Sequence, residues 1–135
     1  MAREVSLSWV QGRAWRAATR EMEVIGDSQK EDGGDDRGMT PVELMVAAMG
    51  LCTGIDLSYY CERHGIDLSQ VRIHLTWEDA TDRPSRVGTI RMRVTLPAGL
   101  SDAERATLTR IVSSCKVHNT IERGAEIPVT VEFTE

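Results

Sequence analysis

Several features that would commit a chain to a particular class of partner are absent from these 135 residues. There is no basic run, and 21 acidic residues outweigh 16 basic ones to give a formal net charge of −5. That balance offers no electrostatic footprint for nucleic acid or an anionic membrane. The longest unbroken apolar run, Leu44 to Cys52, falls far short of the ~20 residues that cross a bilayer, and nothing at the start reads as a signal peptide. The expectation is a soluble, cytoplasmic protein without membrane or nucleic-acid partners. Three cysteines without a CxxC pair signal neither a secreted disulfide framework nor a zinc ribbon. No internal repeat or low-complexity tract divides the chain. One domain over residues 1–135 is expected, large enough to bury a single core.

What is present alternates between strand and helix patterns. In "REVSLSWV" the apolar positions Val5, Leu7 and Trp9 share one face, and Gln11–Gly12 offers a turn into a second extended run through Ile25, so an N-terminal hairpin is predicted. "GDSQKEDGGDDRG", residues 26–38, lacks an apolar anchor and reads as a mobile loop. Thr40, Pro41 and Glu43 then provide an N-cap, a first-turn proline and a capping-box acid for a helix that Gly65 ends. "VRIHLTWE" and "VGTIRMRVTL" flank a turn-rich segment as a second hairpin. "SDAERATLTRIVSSCKVHNTIERG" repeats the helix signals, with Ser101 as N-cap, and "EIPVTVEF" predicts a last strand. The order is α+β, with antiparallel sheet and two long helices. The first helix is apolar almost all round from Leu44 to Leu51, more than one small sheet can cover, so burial against a second copy is expected.

The thiols are the chemistry-bearing candidates. Cys52 and Cys61, nine residues apart on one helix, face opposite sides about 13 Å apart along the axis. Bridged Cα atoms sit ~4.4–6.8 Å apart, so these two cannot pair. Cys115, on the apolar face of the later helix, remains the intrachain candidate for Cys52. Packing competes with reaction here, because a free cysteine behaves as a small buried hydrophobe, and Cys61 carries no other signal. Reaction at Cys52 faces an obstacle: Asp56 lies one turn on, and a carboxylate on the same face raises a thiol pKa unless a cation intervenes. A metal site built on Cys115 and His118 would need two further ligands, and His64 and His74 fall at a helix end and in a strand. No metal is expected.

"MTPVELMVAAMGLCTGIDL" resembles the central-helix signature of the OsmC/Ohr family of hydroperoxide-resistance proteins: a proline, an acidic residue, an Ala/Gly-rich apolar run, then cysteine. Cys115 follows Cys52 by about sixty residues, as the family's second cysteine follows its first, and the element order agrees over nearly the whole chain. The resemblance implies an intertwined homodimer that reduces organic hydroperoxides without a cofactor. Cys52 would be the attacking thiol and Cys115 the resolving one, and an external dithiol would reduce the resulting disulfide. It also implies an activating arginine near a glycine turn; in "QGRAWR" Arg13 is the best match and Arg16 the second. In the organic-hydroperoxide branch an acidic residue directly follows the proline. Here Val42 does, and Glu43 comes next, turned by ~100° on the helix; the second cysteine is followed by "KVH" rather than proline. The alternative is a dimeric binding protein with a small apolar ligand at its interface, its cysteines merely packing.

Overall fold

The computed structural model describes residues 3–134. By internal contacts the chain forms two units, one ending at Ala48 and one beginning at Met49, and the helix α1 (Pro41–His64) runs through both.

In the N-terminal unit three antiparallel strands form a meander, β1 (Ser6–Gln11), β2 (Ala14–Thr19) and β3 (Met22–Gly26), in the order β1-β2-β3. The hairpin expectation is corrected here, because the second extended run is two strands. The chain reverses at Arg20, whose φ of 54° is left-handed, and Thr19 pairs with Met22 across the turn. Gly12, at φ 53°, makes the first turn, and Trp9 Nε1 donates to its carbonyl at 3.1 Å.

The loop that follows is organised, contrary to its composition. Buried Asp27 accepts backbone N–H groups from Ser28 at 2.7 Å, Asp35 at 3.3 Å and Arg37 at 3.1 Å, and a 3-10 turn spans Lys30–Asp32. Desolvation works to raise the Asp27 pKa. The three amides and the Arg37 charge outweigh it and hold the carboxyl below its ordinary value. The Asp27 N–H in turn donates to Met39 O at 3.2 Å, delivering the chain to α1. That helix starts as predicted: Glu43 N–H donates to Thr40 Oγ1 at 3.2 Å, and Glu43 Oε1 accepts Thr40 N–H at 2.8 Å.

In the C-terminal unit β4 (Arg72–Asp79) and β5 (Val87–Thr95) pair antiparallel, with Trp77 opposite Ile90 and Leu75 opposite Met92. The inner face of α1 lies close on this hairpin. A Cβ at Gly50 would stand 2.9 Å from Leu75 Cδ1, so glycine sets the approach. Leu57, Cys61 and Leu108 are fully buried at the centre, with Ile73, Val94 and Ile111 around them. By length and apolar composition α1 would also suit a membrane span, but core helices share those properties, and one face of α1 supplies this core.

The second helical stretch is two helices rather than one. α2 (Asp102–Val112) begins with the Ser101/Glu104 capping box, and α3 (Lys116–Arg123) begins anew with Cys115 as its N-cap in an extended conformation. The break falls on Ser113 and Ser114. Ser113 Oγ donates back to Thr109 O at 2.6 Å and Ser114 Oγ to Asn119 Oδ1 at 3.2 Å, the local bonding by which serine competes with helix. The expected last strand does not form among the described residues: residues 124–134 carry no ladder. The α+β class with antiparallel sheets stands.

Candidate functional site

Cys52 and Cys115 come together in the C-terminal unit. Cys52 projects from the middle of α1, and the break between α2 and α3 turns Cys115 toward it, so that the Cys115 thiol acts directly on Cys52. Both are free thiols; Cys115 is buried and Cys52 partly exposed.

The start of α3 faces these sulfurs. His118 N–H donates to Cys115 Sγ at 3.3 Å, the Val117 main chain favours the thiolate form of Cys52, and the fully buried Thr53 places its hydroxyl 3.9 Å from Cys115 Sγ. The first N–H groups of a helix have no intrahelical acceptor, so a sulfur pair is a natural counterpart for them. A negative charge on either sulfur would also lie at the positive end of the helix dipole.

The Cys52 thiol nonetheless lies above the ordinary thiol range. Val117 N–H is the largest single influence and favours the thiolate, but desolvation, the adjoining Cys115 thiol and the Asp56 carboxylate together outweigh it. The obstacle read from the Asp56 spacing is therefore physical. Cys61, fully buried, has its pKa raised by desolvation; it lies in the core with Leu57 and Leu108.

The other sequence candidates belong to the N-terminal unit. Arg13 sits in the β1–β2 turn on a small cleft of about 300 Å³ shared with Trp15, Asp27, Pro41 and Leu44. Arg16 pairs on the sheet surface with Glu23 at 3.4 Å, and the Glu43 carboxylate is engaged by Thr40. Sequence reasoning missed Thr53, Val117 and the main chain of His118 as groups on the sulfurs. Only the run of serines before Cys115, a break signal, could have pointed to them. The His118 ring bonds Glu122 Oε2 through Nε2 at 3.0 Å, while its buried Nδ1 has no partner among the described residues. No three metal-ligating side chains converge among the described residues.

Beside this site runs a cleft of about 830 Å³ of mixed character, lined by Met49 of α1, Ile90 and Met92 of β5 and Ile121 of α3, together with Thr89 and Glu122.

Comparison with known proteins gives the framework for these observations. No curated protein matches the chain. Among solved structures, a candidate osmotic stress induced and detoxification response protein from Psychrobacter arcticus superposes with a TM-score of 0.77 at 17% identity, over 89% of this chain and 88% of that one. An OsmC-like protein from Mycoplasma pneumoniae gives 0.69 at 16% identity, over 90% and 89%. An organic hydroperoxide resistance protein OsmC from Legionella pneumophila gives 0.61 at 17%, over 90% of each chain. At such identities the likeness is one of fold. The sequence itself matches the family model described as OsmC-like protein over residues 33–132, a span that contains both facing thiols, and the chain belongs to that family.

Proposed function

We propose that the protein is a thiol-dependent peroxidase that reduces organic hydroperoxides. The coarser reading, a redox or stress role, follows from the family and from the Legionella relative that carries the hydroperoxide name. The finer one rests on a single observation: a cysteine pair about sixty residues apart in sequence meets at the start of α3, with the His118 N–H on the Cys115 sulfur.

In this cycle Cys52 thiolate attacks the outer peroxide oxygen and the O–O bond breaks. The alcohol leaves and Cys52 becomes a sulfenic acid. Cys115 then condenses with it, releasing water and forming the Cys52–Cys115 disulfide, which two equivalents of external thiol reduce. Val117 N–H and His118 N–H would support the charged sulfur forms along the way. The cation that the raised Cys52 pKa requires is assigned to Arg13, whose guanidinium can pair with a thiolate and donate to a peroxide oxygen.

The working form is a homodimer. Along α1, Leu51, Ile55 and Tyr59 form an exposed i, i+4 stripe at 66%, 54% and 64% accessibility. In the C-terminal segment Ile127, Val129, Val131 and Phe133 are exposed in strict alternation. An alternating segment without a ladder and a lone two-stranded sheet are mutually incomplete, and a second copy of the chain supplies the missing partner to each.

Steady-state reduction of an alkyl hydroperoxide with a dithiol tests the activity. Turnover lost in Cys52→Ser and retained in Cys61→Ser supports it; equal loss in both, or no turnover in wild type, overturns it. The cleft of about 830 Å³, with Met49, Ile90, Met92 and Val94 on its wall, is the feature behind the second reading, a dimeric binder of a small apolar ligand. That reading predicts ligand-dependent stabilisation with no change in thiol content after peroxide.

A further inference from the structure

Thr53, fully buried on α1 beside Cys52, is a polar side chain to which the cycle above gives no task. Its hydroxyl has one hydrogen-bond partner among the described residues, Cys115 Sγ at 3.9 Å. A thiol sulfur accepts weakly, so in the reduced, protonated state this hydroxyl is poorly satisfied. A charged acceptor makes a hydrogen bond roughly twice as strong as a neutral one, which turns the same contact into support for a Cys115 thiolate. Cys115 also takes the His118 N–H at 3.3 Å while capping the positive end of α3. Two donors and a helix dipole thus converge on a sulfur that is only 4% exposed, whereas Cys52 is partly open to solvent.

We infer that Thr53 is a positioning residue: together with the His118 N–H it holds Cys115 as the leaving thiolate, so that a dithiol reductant opens the Cys52–Cys115 disulfide by attacking Cys52. The inference rests on the proposed disulfide and names the sulfur that the reductant meets and the residue that directs it there.

The step balances as a thiol–disulfide exchange. One thiolate of the dithiol bonds to Cys52 Sγ, the Cys52–Cys115 bond breaks, and its electron pair stays on Cys115 Sγ, facing the Thr53 hydroxyl and the His118 N–H. The second thiolate of the reductant then attacks the reductant sulfur bound to Cys52. The reductant closes to its own disulfide, Cys52 departs with the electron pair, and the two protons of the dithiol end on the two cysteines. Attack in the opposite sense would have to reach a buried sulfur. It would also leave the first charge on Cys52, where desolvation, the Cys115 thiol and Asp56 together outweigh the help of the Val117 main chain. That charge does form in the second exchange, but there the attack is intramolecular and proximity drives it.

Diamide in place of peroxide forms the disulfide, so the test reports whether or not the protein is a peroxidase, and peptide mapping verifies the Cys52–Cys115 bond. A brief exposure to 2-mercaptoethanol, stopped with acid and followed by N-ethylmaleimide on the unfolded protein, should place the mercaptoethanol adduct on Cys52 and the maleimide on Cys115. Reduction by dithiothreitol is then timed in two variants that separate the hydroxyl from packing. Thr53→Val keeps the volume and loses the hydroxyl, and Thr53→Ser keeps the hydroxyl and loses a methyl. We expect reduction to slow by roughly three- to tenfold in the valine variant, the effect of one hydrogen bond to a charge only partly formed in the transition state. The serine variant should stay within about twofold of wild type. An adduct equally or mainly on Cys115, a valine variant as fast as wild type, or a serine variant slower than the valine one would each overturn the inference. Failure of diamide to join the two cysteines would overturn it together with the peroxidase reading; failure of peroxide alone would overturn only the latter.

Discussion

Substituting Cys61 separates a packing thiol from a reacting one. The side chain is fully buried between Leu57 and Leu108, so Cys61→Ala removes one buried heavy atom. By area that is about 1 kcal/mol, a little above the ~0.8 kcal/mol of a buried methylene because a small cavity remains. Cys61→Ser keeps the volume but buries a hydroxyl. On a helix that hydroxyl can bond back to the carbonyl four residues earlier, at Leu57, which leaves a net loss of about 1–3 kcal/mol. With a urea slope of about 2 kcal/mol/M, the midpoint should fall by ~0.5 M for alanine and by ~0.5–1.5 M for serine, compared at one fixed protein concentration. Burial also raises the Cys61 pKa from the ordinary 9.0. The unfolded chain therefore loses this proton first, and stability that is complete below pH 9.0 declines as pH rises through the folded-state value. The alanine variant should lack that alkaline decline. Turnover per folded molecule should be unchanged in both. An unchanged midpoint, or turnover that falls with Cys61, would refute the assignment of this thiol to the core.

Asp56→Asn removes a carboxylate that raises the Cys52 pKa, so Cys52 alkylation at neutral pH should accelerate; an unchanged rate would remove Asp56 from the site's electrostatics. Asp27→Ala should expose the amides of Ser28, Asp35 and Arg37 to rapid hydrogen exchange. In wild type, the loop's contribution to stability should be complete above pH 3.8 and lost as pH falls through the lowered Asp27 pKa. Leu51→Glu/Ile55→Glu, on the exposed stripe of α1, should convert the dimer to monomer by light scattering; a wild type already monomeric at micromolar concentration would contradict the dimer. In the dimer the amides of Val129 and Val131 should be protected from exchange, and free exchange there would show that the C-terminal segment adds to no sheet.

Much of this fold was legible because its signals are local. Thr40, Pro41 and Glu43 announce α1 by side-chain capping, and alternation marks β4 and β5. The Asp56 obstacle followed from one helix turn of spacing and reappears in the raised Cys52 pKa. The misread features depend on bonds that spacing does not reveal. The loop after β3 has no apolar anchor, yet it is held by one buried carboxylate that gathers three amides. The second helical stretch keeps its apolar period across Ser113 and Ser114, but the serine hydroxyls bond locally and Cys115 caps a new helix. That break, invisible to periodicity, is what brings the His118 N–H to the Cys115 sulfur. The last strand was read from its alternation, but Ile127, Val129, Val131 and Phe133 stand exposed and pair with no strand among the described residues.

Peptide mapping after stoichiometric alkyl hydroperoxide separates a reacting thiol pair from a packed one. A reacting pair predicts a loss of two hydrogens per chain and a peptide linking Cys52 to Cys115 in wild type. In Cys115→Ser it predicts one added oxygen on Cys52, advancing to sulfinic acid with excess peroxide. A wild-type mass unchanged after peroxide, with Cys52 and Cys115 both still open to alkylation in the unfolded protein, would contradict it and leave the two thiols as packing.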